Sequence, residues 1–173
     1  MHSANVLVFE GSGQAAVAAG DAFIASARTS GTRPVGLATG QTMTPVYDHL
    51  LTIDGQANGL FADTVFSQLD EVIGHVGFNE PGSPDSSRCR VVDLAASTIQ
   101  RNGYDTGMQG ITLGIADILA AEQIILVATG AAKAAAISAM INGPKTPDCP
   151  ASLLRDHPDV RLFLDKEAAS QIS

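Results

Sequence analysis

After Gln123, residues Ile124-Ile125-Leu126-Val127-Ala128 form an unbroken apolar run of strand length. Thr129-Gly130 ends it ahead of an alanine-rich stretch with helical spacing. A strand without polar alternation is buried on both faces, as inside a parallel sheet covered by helices. The same strand-then-helix pattern recurs along the chain. Val6–Phe9 reads as a strand, and Ser12 caps a helix from about Gln14 to Arg28. Pro34–Ala38 reads as a second strand. Thr44-Pro45 then supplies an N-cap and a first-turn proline for a helix over Val46–Leu51. Thr64–Leu69 and Arg90–Leu94 read as strands, and Ile111–Ala121 has helical spacing. The alanine-rich helix runs to about Ile141, where Asn142-Gly143-Pro144 stops it, and Val160–Leu164 is a last strand. The alternation predicts an α/β fold of three layers, a doubly wound, mostly parallel, Rossmann-like sheet. No internal repeat or linker divides the 173 residues, so one domain is expected.

Composition narrows the partners. Hydrophobic residues make up 45% of the chain and charged residues 16%, which suits a sizeable core rather than a disordered chain. The formal net charge is −8, with no basic stripe for nucleic acid or an anionic membrane. A small anionic substrate would need a few placed cations. Cys89 and Cys149 make neither a disulfide framework nor a Cys-x-x-Cys pair, and read as two reduced thiols. No secretory signal or bilayer-spanning run is seen, so a soluble cytoplasmic protein is the expectation. The four histidines lack paired metal spacing, and no metal site is predicted. His2 and His49 fall in no pattern; His157 reads as a cap or a support rather than a chemical group.

Three segments carry chemistry. Thr39-Gly40-Gln41-Thr42 and Thr129-Gly130-Ala131-Ala132-Lys133 each follow a strand and precede a helix. Ligands of open α/β sheets bind at such junctions, where free N–H groups and the positive dipole end favour an anion. Lys133 in a first helical turn opposes that dipole, at a cost of up to about 1 kcal/mol, and a bound anion would reverse the penalty. In isolation an ordinary capped loop and a solvated lysine would look the same. The third segment is Gly74-His75-Val76-Gly77-Phe78-Asn79-Glu80-Pro81-Gly82. His75 with Glu80 is an acid/base candidate, because a carboxylate on one ring nitrogen fixes the tautomer and raises the basicity of the other. A turn histidine beside a surface glutamate is the plainer alternative. Asp70 follows a strand end, where a carboxylate either caps the next helix or faces substrate.

Taken in order, Ala38-Thr39-Gly40-Gln41-Thr42, Leu69-Asp70-Glu71, Gly74–Gly82 and Thr129–Ala134 resemble the glucosamine-6-phosphate deaminase/isomerase family. The resemblance runs over nearly all of the chain. It implies cofactor-free conversion of glucosamine 6-phosphate to fructose 6-phosphate with release of ammonia. By resemblance, Thr39, Gly40, Gln41, Thr42 and Lys133 hold the substrate phosphate, with Arg101 more loosely aligned to a lid arginine. Asp70 moves the proton between C1 and C2, and His75 opens the sugar ring with help from Glu80. The Asn-Glu-Pro ending and the segment Ser83–Leu94 look like the deaminase branch rather than the related 6-phosphogluconolactonases. A homo-oligomer is compatible with this reading. A different sugar-phosphate isomerase or lactonase, or a catalytically impaired sugar-phosphate-binding protein, is the alternative.

Four departures stand out. Ile73 occupies the place of the family's aspartate before Gly-His, Ala38 that of a proline, and Arg155 that of a glutamine. The fourth is a matter of spacing. The family sets a long segment, with one more central strand, between Leu-Asp-Glu and Gly-His; here His75 follows Asp70 by five positions. Successive parallel strands need a crossover of about a dozen residues, so Asp70 and His75 cannot end two such strands of a continuous chain. The lid near Asp105–Met108 is shorter too. The chain is either a shortened variant or a join across absent segments near 71–73 and 105–108, and the abrupt seams favour the join.

Overall fold

The computed structural model describes residues 5–30, 35–38, 43–57, 66–69, 76–96, 99–100 and 105–172. Strand β1 (Asn5–Phe9) leads into helix α1 (Ser12–Ser30), then β2 (Val35–Ala38), α2 (Thr44–Ala57) and β3 (Phe66–Leu69). β4 (Arg90–Asp93) and β5 (Gln109–Thr112) are followed by the short α3 (Ile115–Leu119) and by β6 (Ile124–Ala128). A 3₁₀ turn over Ala131–Lys133 opens α4 (Ala134–Asn142); α5 (Pro150–Leu153) continues as a 3₁₀ turn over Leu154–Asp156, and β7 (Val160–Asp165) completes the order.

β1, β7 and β6 form a parallel sheet with β7 in the middle. Val6 pairs with Leu162, and Ala128 with Leu164. β2 and β3 pair in parallel, Ala38 opposite Leu69, and β4 and β5 pair antiparallel. Among the described residues these are three separate ladders. The expected parallel α/β architecture is present, and the antiparallel pair is the exception to the parallel rule.

β7 is buried on both faces, and its alternate residues enter different cores. Phe163 packs with Phe23, Ile24, Val46 and Leu50 of α1 and α2. Leu162 and Leu164 pack on the other side with Ile115, Ile118, Ile137 and Met140 of α3 and α4. These are the three layers. Phe9 stacks on Phe163, ring centroids 6.1 Å apart and planes within 6°. The stripe Ala16, Ala19, Phe23 explains why α1 lies on the sheet, and its small residues let α2 approach closely. His49 of α2 bonds Asp21 of α1 at 2.8 Å, so the unpatterned histidine joins two helices.

Two expectations change. The stretch 111–121 is not one helix: Ile111 and Thr112 lie in β5, and only Ile115–Leu119 is helical. α2 runs on to Ala57 rather than stopping near Leu51.

Candidate functional site

The carboxyl ends of β6 and β7 carry one of the two expected anion junctions. Gly130, just after β6, has φ 86° and ψ 152°, a conformation open only to glycine. Its N–H donates to both carboxylate oxygens of Asp165, at 3.0 Å each. Asp165 ends β7, is buried, and also accepts the N–H of Ala168 at 2.8 Å. Lys133 N–H then donates to Gly130 O at 3.1 Å, the first bond of the 3₁₀ turn. Lys133 thus lies at the end of that turn and at the start of α4, half-buried. The N–H groups of Ala131 and Ala132 come ahead of this bond, in the place from which helix starts bind anions.

The loop around Glu80 is built on Asn79. Asn79 is fully buried; its Nδ2 donates to the carbonyls of Val76 and Leu113, each at 2.7 Å. Its Oδ1 accepts from Arg90 Nη1 at 2.9 Å, and Arg90 Nη2 reaches Ser83 Oγ at 3.3 Å. Phe78 N–H donates to Thr112 Oγ1 at 3.1 Å, and Gly82 N–H to Pro147 O at 2.9 Å. Gly77 and Gly82 have φ of 61° and 90°. The loop is therefore tied to β4, to β5 and to the segment ahead of α5. Glu80, half-buried, accepts Ser83 N–H at its carbonyl, at 3.0 Å.

Of the predicted site residues, Glu80 and Lys133 are described. Thr39, Gly40, Gln41, Thr42, Asp70, His75 and Arg101 lie outside the described residues. The strands that lead to several of them are described: Ala38, next to Thr39 in the chain, pairs with Leu69, next to Asp70. Asp165, Asn79 and Arg90 are supports to which the sequence reading assigned no role in holding the site.

No family model matches the chain. A glucosamine-6-phosphate deaminase of Rhodopirellula baltica is 48% identical over 133 residues, 71% of this chain and 53% of that protein. One from Streptococcus thermophilus is 50% identical over 105 residues, 57% of this chain and 45% of that protein. The chain is a relative of the glucosamine-6-phosphate deaminases. It spans about half the length of the curated relatives it matches.

The fold agrees with the deaminase resemblance. The structure of a monomeric glucosamine-6-phosphate deaminase of the NagB superfamily superposes with a TM-score of 0.82 at 22% identity, covering 96% of this chain and 99% of the other. A 6-phosphogluconolactonase from Trypanosoma cruzi superposes at 0.77 with 14% identity, covering 99% and 98%. At these identities the likeness concerns the fold alone.

Arg155, which departs from the family's glutamine, and His157, read as a cap or support, both have structural work. The guanidinium of Arg155 donates to Ile141 O at 2.9 Å and Gly143 O at 3.0 Å, closing the carboxyl end of α4. His157 is buried; its Nε2 donates to Ala121 O at 2.7 Å and its Nδ1 accepts Asp159 N–H at 3.1 Å. It ties the segment ahead of β7 to the turn ahead of β6, as a cap-or-support reading expects.

Proposed function

We propose that the chain converts glucosamine 6-phosphate and water to fructose 6-phosphate and ammonia. The observation that carries this is the 48% identity over 133 residues with a protein of that name. In this reading Thr39, Gly40, Gln41, Thr42, Arg101 and the turn ending at Lys133 hold the phosphate. His75, helped by Glu80, passes a proton to open the ring. Asp70 takes the C2 proton and returns it at C1; water then adds to C2 and ammonia leaves. The glycine-only turn at Gly130 and the clamped loop at Asn79 support the reading, since both set functional backbone firmly. We infer a cytoplasmic hydrolase and isomerase of amino-sugar metabolism that needs no cofactor, a reading compatible with a homo-oligomer. We take residues 1–173 as one domain lacking segments near 71–73 and 105–108, as the half-length match to its relatives suggests. The intact mass of the purified chain tests this, and agreement with 17.8 kDa would establish a true deletion.

Ammonia release from glucosamine 6-phosphate is the direct test. Asp70→Asn is expected to lower turnover by about 10²–10⁴-fold, and Lys133→Ala to weaken substrate binding with the fold intact. Wild-type rates in both variants would refute the assignment.

Ile73, standing where the family has an aspartate, favours a second reading as a catalytically impaired sugar-phosphate-binding protein. Calorimetric binding without ammonia release would select it. Hydrolysis of 6-phosphogluconolactone in place of deamination would select a lactonase.

A further inference from the structure

We propose that Asp165 is a positioning residue that aims the backbone of the Gly130 turn at an anion; the inference rests on the phosphate role given to that turn above. The conformation of Gly130 persists only where its surroundings over-determine it. Among the described residues, a Cβ built on Gly130 would meet no heavy atom within 4 Å. The backbone, not crowding by a described residue, therefore demands the glycine. What fixes the conformation is one carboxylate. Asp165 is 6% exposed and accepts the Gly130 N–H through both oxygens. Its Oδ1 is itself held by Ala168 N–H. Charge-assisted bonds of this kind are shorter and stronger than neutral ones.

The carboxylate comes from β7, the central strand of its sheet, one position beyond the Ala128–Leu164 pair. The best-anchored element thus orients the turn after its neighbour. The division of labour among the N–H groups follows. Gly130 donates to Asp165, and Lys133 donates to Gly130 O. Ala131 and Ala132 are left to serve a ligand. A buried carboxylate repels a nearby anion, so Asp165 acts through the peptide it holds and does not touch the ligand.

The test is Asp165→Asn, with inorganic phosphate and glucosamine 6-phosphate as probes in calorimetry, at a temperature where every variant is folded. The asparagine keeps one acceptor and sets an N–H₂ group against the Gly130 N–H. Both probes are expected to bind at least about tenfold more weakly, the scale of one charged hydrogen bond. The Gly130 amide resonance is expected to move upfield as its charged acceptor is lost. Gly130→Ala should weaken both probes in the same way, and it carries the test if Asp165→Asn does not fold. Ile118→Val, which loosens the core in α3 away from the turn, should bind like wild type. Wild-type affinity in folded Asp165→Asn overturns the positioning role while leaving the phosphate reading standing. Equal weakening in Ile118→Val overturns it as well, since Asp165 would then serve only stability. If wild type binds neither probe, the phosphate reading falls and the inference with it.

Discussion

Asn79 has no accessible surface, so its carboxamide reaches no substrate. Its bonds to Val76 O, Leu113 O and Arg90 hold the loop that leads from His75 to Glu80 in the chain. Asn79→Ala would leave two buried carbonyls and a guanidinium without this partner. Stability is expected to fall by about 1–3 kcal/mol, measured by urea unfolding. Asn79→Asp should do no better, since it sets an acceptor against carbonyl acceptors. Motif reading reached this asparagine as a mark of the deaminase branch and not as a clamp. Arg90, its partner, was legible as a strand residue of the deaminase-like segment Ser83–Leu94 and not as a clamp, because nothing local announces a contact made across a loop. Asp165 did leave a trace. It follows Leu162-Phe163-Leu164 as Asp70 follows the strand ending at Leu69: a carboxylate directly after an apolar strand end. The sign is the same in both places, and only the fold tells which carboxylate holds backbone.

At the scale of elements, parallel strands were the most readable, since a strand covered on both faces needs no alternation to be recognised. The stretch 109–119 was not. Ile111, Ile115, Ile118 and Leu119 have helical spacing, while Ile111, Leu113 and Ile115 also alternate. Pairing with β4 decides the matter: Ile111 lies opposite Val91, and Thr112 opposite Arg90. A partner that far off in the chain cannot be weighed from a local window. The segments just ahead of β6 and β7 make a pH prediction. Asp159 accepts from Gln123 Nε2 at 2.6 Å and from Arg161 Nε at 3.2 Å. The Gln123 hydrogen bond, followed by the Arg161 bond and charge, holds its carboxyl below the ordinary value. A lowered folded pKa means that the stabilisation is complete above the unfolded value of about 4 and is lost as pH falls through the folded one. The pair is partly exposed, so the effect is modest. Thermal unfolding between about pH 7 and pH 3 is expected to fall more steeply for wild type than for Asp159→Asn.

Among the described residues two cores lie on opposite faces of the sheet of β1, β7 and β6. Leu162 enters the core with α3 and α4, and Phe163 the core with α1 and α2. Leu162→Ala is expected to cost about 2–5 kcal/mol and Phe163→Ala about 3–5, by equilibrium unfolding. Truncations this close on one central strand are expected to be non-additive in the double variant. The α/β class was legible because alternation of strand and helix survives any local error. The division of the described strands into three ladders was not, since it depends on which strands meet. A chain that spans about half the length of the curated relatives it matches leaves that open in its sequence.

The central place of β7 has a consequence in time. β1 and β6 both pair with β7 and not with each other. Asn5 pairs with Arg161, so all the residues between them are synthesised before β1 meets β7. Closing so long a loop is entropically unfavourable until the contacts form, and such topologies fold slowly. A nascent chain that has not yet reached Val160 holds two of the three strands with no ladder between them, and its apolar faces wait for the last strand to arrive.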